Sequence, residues 1–391
     1  MDWMKHLVVI VILLCTLFMF PTLTFAETTM DEKKDDLVDE VSLDGIQRYW
    51  QKVVHDYGPY IDGLNKGKIS DIIKGDTSLS VKNIVYGLLD YLFHELILNG
   101  KLMGTLLMLT IFSALLQTMH NAFEGRAVSK IAYFVVYLVL IYLALNSFYL
   151  SVSYAKDAID TMSGTMIALI PLMLGLMATF GQVASVAFFN PVIIFLIHLS
   201  GVLISRFILP LLFLSALLHI VSGLSETYKV THLADLFKNV ALGVLGTFMT
   251  IFISVMSVQG AASAIQDGVA MKTAKFVTGN FIPVVGRTLT DAADTMLSAS
   301  LLLKNAIGIV GLILIVTLAL FPAVKIFAIA FVYKLTAALL QPLGNGPVIT
   351  VMDIISKYIL FVLACLLIVT FMFFLAIVII VISSNITMLL R

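Results

Sequence analysis

The sequence predicts an all-α protein threaded repeatedly through a membrane. Three observations predict it. Of 391 residues, 60% are hydrophobic and only 12% charged, whereas soluble domains run near half apolar and about a quarter charged. The mean hydropathy is +1.04. Seven apolar stretches come close to or exceed the roughly 20 residues that a helix needs to cross hydrocarbon. They are 101–119, 131–151, 164–180, 186–220, 239–258, 306–338 and 357–383. The 24 basic and 24 acidic residues cancel, so no basic face invites nucleic acid.

Residues 1–26 read as a secretory signal peptide. Lys5 supplies the positive start, "LVVIVILLCTLFMF" the apolar core, and Thr24-Phe25-Ala26 the small residues before a cut at Glu27. The alternative is an uncleaved anchor. Cys15 sits inside the apolar run and is no lipidation site. Once the signal is removed, Cys365 is the remaining cysteine, so it forms no internal disulfide and reads as a packing residue.

Residues 27–99 read as an extracytoplasmic helical region. After the solvated "DEKKDD", Ile46, Tyr49, Trp50, Val53, Val54 and Tyr57 recur at helical spacing. Gly58-Pro59 ends that helix. A short element at "KISDIIKG" follows. Ser80 then precedes a helix whose stripe runs through Ile84, Val85, Leu88, Leu89, Leu92, Phe93, Leu96 and Ile97. Some sixty residues are too few for a secure core of their own, so this region is expected to rest on the membrane or on a partner.

The membrane domain spans 100–391. Its fourth apolar stretch contains Arg206 and Pro210, its sixth Pro322 and Lys325. Each reads either as one kinked helix or as two pieces, since proline is tolerated where neighbours satisfy the freed backbone. If the signal exports the N-terminus, Arg126 and Lys130 lie inside, as positive loops prefer. Seven crossings would then put 259–305 and Arg391 inside as well.

Enzyme signatures are not found. "HELIL" at His94 lacks the second histidine of a zinc-binding helix, and no phosphate loop, dinucleotide fingerprint or nucleophile elbow is visible. No catalytic, cofactor-binding or metal-ligating residue is therefore assigned, and no cofactor is expected. "PLGNGP" at 342–347 reads as a turn or a re-entrant loop. Charge in hydrocarbon is costly and marks candidate function. Arg206 and Lys325 are the candidate buried charges, with Lys334, His198 and His219 behind them; snorkelling is the plainer explanation. The acids between 101 and 383 fall in connections between apolar stretches, which counts against a proton-coupled carrier. No inverted repeat of the kind many carriers show is evident.

The stretch 259–300 is the exception among the connections. It carries Lys272, Lys275, Arg287, Asp291 and Asp294, with breakers Gly279, Pro283 and Gly286. Ile265, Val269 and Phe276 make a narrow apolar stripe before the break. Thr288 with Asp291 fits a capping box after it. The stretch reads as an amphipathic helical pair that either lies at the interface or dips inward to line an aqueous path. Those eight residues are the candidate conduit or interface. Gly243, Gly246, Ser254, Ser257 and Gly260 offer close helix packing within or between chains.

Several segments resemble the stage III sporulation protein AE family of endospore-forming Bacillota. They include "FHELILNGKLMGTLL", "NAFEGRAVSKIAY", "AFFNPVIIFL", "SVQGAASAIQDGVAMKTAKFVTGNFIPVVGR", "DAADTMLSASLLLKN" and "LTAALLQPLGNGPVI". They fall in family order from about residue 80 onward. The resemblance implies a mother-cell protein in the membrane surrounding the forespore. It implies partners encoded in the same sporulation operon and, through them, a forespore membrane protein. Together these act as a channel or feeding tube that sustains the forespore and its late transcription. The family supplies no catalytic residues. A small-solute permease and a scaffold without a conduit are the other readings; a homo-oligomer fits the first as well as the last.

Overall fold

In the computed structural model, residues 44–61, 69, 81–122, 126–179, 183–223, 229–281, 285–343 and 347–389 are described. Among them the chain forms nine α-helices: α1 Asp44–Tyr57, α2 Val81–Leu98, α3 Gly100–Ala122, α4 Arg126–Thr179, α5 Val183–Leu203, α6 Leu209–Ser222, α7 Thr231–Phe281, α8 Val285–Leu340 and α9 Pro347–Leu389. The signal segment, Ser80, "KISDIIKG" and Pro283 lie outside the described residues.

The largest departure from expectation is helix length. The stretches 131–151 and 164–180 are not two spans but one 54-residue helix, α4. The intervening "SVSYAKDAIDTMS" is polar yet contains neither proline nor glycine. Ala155, Ala158, Ile159, Met162 and Met166 are buried at i, i+3, i+4, i+7 and i+11, so one apolar face runs unbroken through it. Polarity on the other face does not stop a helix. Asp157 and Asp160 therefore sit inside a continuous helix, not in a connection.

Both doubtful stretches resolve as continuous helix. At the fourth, α5 passes into α6 through a π-turn at Ile204–Ile208, flanked by helical backbone at Leu203 and Leu209. Pro210 is the second residue of α6, directly after the π-turn, so a proline and a π-turn meet at one point of a continuous run, where helices commonly bend. At the sixth, Pro322 lies inside the 56-residue α8. Among the described residues, five helical runs are long and apolar enough to cross a membrane: Phe134–Ala178, Pro191–Ser222, Thr231–Ala270, Leu302–Leu340 and Pro347–Ser383. The pair α2–α3, bent by 40°, makes a sixth if counted as one span. Against the seven expected, the described residues hold five or six by length and composition.

Side-chain contacts fix how the helices run. Along α4, Ser147, Tyr154, Leu169 and Met173 meet Tyr333, Lys325, Gly311 and Gly308 of α8 in turn, so the two are antiparallel. Phe148 and Met162 meet Tyr358 and Thr370 of α9, which runs parallel to α4. Gly260 and Ser263 of α7 meet Ile379 and Ser383, so α7 is parallel to α9. The core between them is filled by large side chains, among them Phe148, Phe252, Phe321, Tyr333 and Phe373, all buried.

The first helix does not stand apart. Ile46, Trp50 and Val53 are buried, and α1 lies on α4 with Gly45 against Ala168 and Tyr49 against Gly164. The amphipathic stripe read from the sequence finds its partner in the chain's own bundle.

Candidate functional site: a charged belt across the bundle

The ionisable groups that the sequence scatters are gathered at one level of α4, between Tyr154 and Thr161. Lys325 of α8 forms an ion pair with Glu95 of α2 at 3.4 Å. Its Nζ also stands 4.7 Å from the centroid of the Tyr154 ring, a cation–π arrangement. The Glu95 side chain is only 4% exposed and that of Lys325 32%. Tyr91 lies one turn before Glu95 on the same helix. So Lys325, expected as a lone buried charge, is paired with a carboxylate just upstream of the first apolar stretch.

An aromatic wall closes this pair toward α1. Tyr57 stacks on Phe321 with centroids 4.0 Å apart and planes 8° off parallel. Tyr91 meets Phe321 edge-on at 4.9 Å, and Tyr60 meets Tyr91 edge-on at the same distance. Burial, aided by Asp56, pushes the Tyr57 phenol up to about 12. Lys52 of α1 donates from Nζ to Thr161 Oγ1 at 3.2 Å.

On the opposite flank, Ser205 in the π-turn donates to Asp160 Oδ1 at 3.1 Å. The wider turn shifts the helix register at this point, and π-turns often mark functional positions. Arg206 follows Ser205 and is exposed at the bundle surface, within a helical run apolar enough to cross a membrane. His198 is likewise exposed.

A second polar chain lies nearer the α6–α7 end. Ser215 Oγ donates to the Ala234 carbonyl at 2.5 Å and shares a 2.6 Å hydrogen bond with Tyr358 Oη. That hydroxyl is 2.9 Å from His219 Nδ1, and His219 Nε2 is 3.8 Å from Asp235. Ser, His and Asp are the residue types of a hydrolytic triad. Here Tyr358 stands between the serine and the histidine, and Ser215 is fully buried. The chain clasps α6, α7 and α9 together; it offers no nucleophile to a substrate. Nearby, Asp353 bridges Lys334 at 2.5 Å and Lys357 at 2.6 Å, which accounts for Lys334 without a solute site. Among the described residues no three His, Cys, Asp or Glu are grouped to hold a metal.

The stretch 259–300 is two helical pieces on either side of 282–284, and each piece continues a long apolar helix. Lys272, Lys275 and Gly279 lie on α7, which continues without a break to Phe281. Gly286, Arg287, Asp291 and Asp294 lie on α8, which begins at Val285. Thr288 is thus inside the helix and is not its cap, and of the three breakers only Pro283 falls between the helices. Lys272 is exposed; for Lys275, Arg287, Asp291 and Asp294 the structure describes the backbone. At the root of the stretch, Lys304 is buried and donates to the Val381 carbonyl at 3.2 Å, beside the Ser263–Ser383 contact. Lys304 was legible as a charge at a span boundary, yet no periodicity singled it out. Of the small residues on α7, Gly260 packs on Ile379, whereas Gly243 and Gly246 meet nothing within 4 Å and Ser254 and Ser257 are exposed.

Comparison with known proteins gives one family. The family model "Stage III sporulation protein AE" matches residues 65–384. Stage III sporulation protein AE of Bacillus subtilis (strain 168) is 50% identical over 363 residues, covering 93% of this chain and 91% of that protein. No solved structure matches.

Proposed function

The chain belongs to the stage III sporulation protein AE family, and on that premise we propose that it is a non-enzymatic, polytopic subunit of a channel complex joining mother cell and forespore. It resides in the mother-cell membrane around the forespore. Its partners are subunits of the same operon and, through them, a forespore membrane protein. The complex sustains forespore development and late forespore transcription.

The observation that carries this reading is the family match along nearly the whole chain, on a bundle with at least five helices suited to a membrane. The packed core adds a constraint. With Phe148, Phe252, Phe321, Tyr333 and Phe373 filling the axis, a conduit belongs between chains, not through a single one. The same packing favours the scaffold as the second reading: a rigid bundle that holds partner subunits without lining a path.

The test is a scan of single cysteines from 259 to 300 in sporulating cells, in a Cys15→Ser, Cys365→Ser background. Helix-periodic labelling by an impermeant thiol reagent, with a bulky adduct arresting the forespore, supports a conduit lining. Adducts that leave forespore development intact along the whole stretch would remove it from the conduit and bring the scaffold forward.

A further inference from the structure

We propose that the bilayer surrounds only one half of the bundle, that the chain crosses it six times, and that α1 and the adjoining ends of α7 and α8 stand together in water on one side. This inference goes beyond the sporulation role and does not depend on it.

Length makes the question unavoidable. At 1.5 Å per residue α4 is about 81 Å long, against roughly 30 Å of hydrocarbon. Most of it must lie outside the bilayer.

Helix α1 shows which part. Its outward face is Gln47, Arg48, Gln51, Lys52, His55 and Asp56, all exposed. It lies along α4 from Thr161 to Ala168. A face of two cations, an acid, a histidine and two amides is not a lipid-facing surface. The bundle beyond the charged belt is therefore flanked by water at α1.

The other half has the opposite surface. Met108 and Phe112 of α3, Phe134 and Tyr142 of α4, Leu236 of α7 and Phe331 of α8 are all largely exposed. They sit on four helices, with Leu214 and Val221 of α6 adding a fifth, and in this placement they make one ring. On α4 the large exposed apolar residues run from Ile131 to Leu150, and among the described residues only Ile167 follows beyond the belt. There, large apolar exposure runs as stripes along single helices: Val85 to Leu98 on α2, Phe195 on α5 and Val258, Ile265 and Val269 on α7, with Leu302 and Ile382 isolated. A ring suits lipid; strips suit protein partners.

The ring half also has the right height. The π-turn and α6 together, Ile204 to Ser222, rise about 28 Å. At their far end α6 stops and α7 begins, and α8 gives way to α9 at the same level. The paired charges Lys334, Asp353 and Lys357 lie within that end turn or two, as snorkelling groups do. The belt of Asp160, Arg206, Glu95 and Lys325 marks the other boundary.

With this placement α3, α4, α6, α7, α8 and α9 each cross once. The crossing count is even, so α1 shares its side with the end of α7 at Phe281, the start of α8 at Val285 and the end of α9. The polar stretch 259–300 then neither lies at the interface nor dips into the membrane. It extends the bundle into the aqueous phase that holds α1.

Single cysteines at Gln51, Lys272 and Lys229, each exposed, decide the topology in a Cys15→Ser, Cys365→Ser chain. Sealed right-side-out and inverted vesicles are treated with an impermeant maleimide. Gln51 and Lys272 should label in the same vesicle orientation, and Lys229 in the opposite one. Labelling of Lys272 together with Lys229 would overturn the six-crossing topology. Nitroxide probes at Phe134, Phe331 and Ile167 decide the lipid boundary. Oxygen should relax the first two far more than a water-soluble nickel chelate does, and Ile167 should show the reverse. A lipid-like signature at Ile167 matching that at Phe134 would overturn the half-bundle placement.

Discussion

Substituting the two members of the Glu95–Lys325 pair should give unequal losses that do not add. Breaking a buried ion pair by removing one partner costs about 3–5 kcal/mol, but here the partners differ in environment. Lys325→Met leaves a carboxylate that is 4% exposed and without its cation. The expected loss is therefore about 3–5 kcal/mol. Glu95→Gln leaves an ammonium that is 32% exposed and still faces Tyr154. Water and the ring, the latter worth about 0.5–2 kcal/mol, hold that loss near about 1 kcal/mol. The double variant leaves no uncompensated charge and should match or exceed the stability of Lys325→Met. The assay is thermal unfolding of the detergent-solubilised protein followed by the loss of monodisperse material. Additive losses, or Glu95→Gln falling below Lys325→Met, would refute the pairing as the reason Lys325 is tolerated at this depth.

Other outcomes follow from single contacts. A Cβ at Gly87 would be driven into the Tyr60 backbone carbonyl, which cannot swing aside; Gly87→Ala should cost about 1–3 kcal/mol by overpacking and expose residues 44–61 to protease. Gly311→Ala presses only on the mobile end of Leu169 and should be milder by at least half in the same proteolysis assay. Tyr358→Phe removes the hydroxyl shared by Ser215 and His219; since Ser215 keeps the Ala234 carbonyl, the loss should be about 1 kcal/mol in thermal unfolding. The Tyr57 phenol, raised from 10.0 to about 12, stabilises the docked α1 fully below pH 10. That contribution is lost as pH rises from 10 to 12, because the detached phenol ionises first. Protease protection of α1 should therefore weaken across that window, and Tyr57→Phe should flatten the change.

The sequence made the helical membrane class and the amphipathic α1 legible because both rest on apolar periodicity, which the fold uses directly. It misled where polarity was taken for a break. "SVSYAKDAIDTMS" and 259–281 both carry charge and neither contains proline; the first keeps a buried face, and in the second Gly260, Ser263 and Asp267 are buried. A hydropathy window averages over the faces of a helix and cannot tell an exposed polar face from a loop. The Glu95–Lys325 pair was hidden for another reason. Its members are 230 residues apart, and only the parallel course of α2 and α8 brings them together. Nothing local to Glu95 distinguishes it from Asp90, which is exposed one turn earlier.

The same length that defeated the span count bears on what the protein can do. A carrier needs a site within the bilayer that opens alternately to either side, formed by discontinuous helices. Here α4, α7, α8 and α9 run continuously, from 43 to 56 residues each. They are locked in register by contacts at both ends, from Tyr333–Ser147 to Ser263–Ser383. Such struts transmit position along the bundle better than they rock about a central site. The charged belt fits a strut as well. Glu95, Lys325 and Tyr154 lie where three helices and the aromatic wall of α1 meet, so rotating any one helix there would strand a charge. The permease reading would need that pair to part during a transport cycle, while the subunit and scaffold readings need it to stay closed. A disulfide between cysteines placed at the exposed positions Tyr149 and Phe331, which share a level across α4 and α8, would separate them. Their pairing is expected to leave forespore development intact, and arrest on oxidation, reversed by reductant, would show that these helices must move.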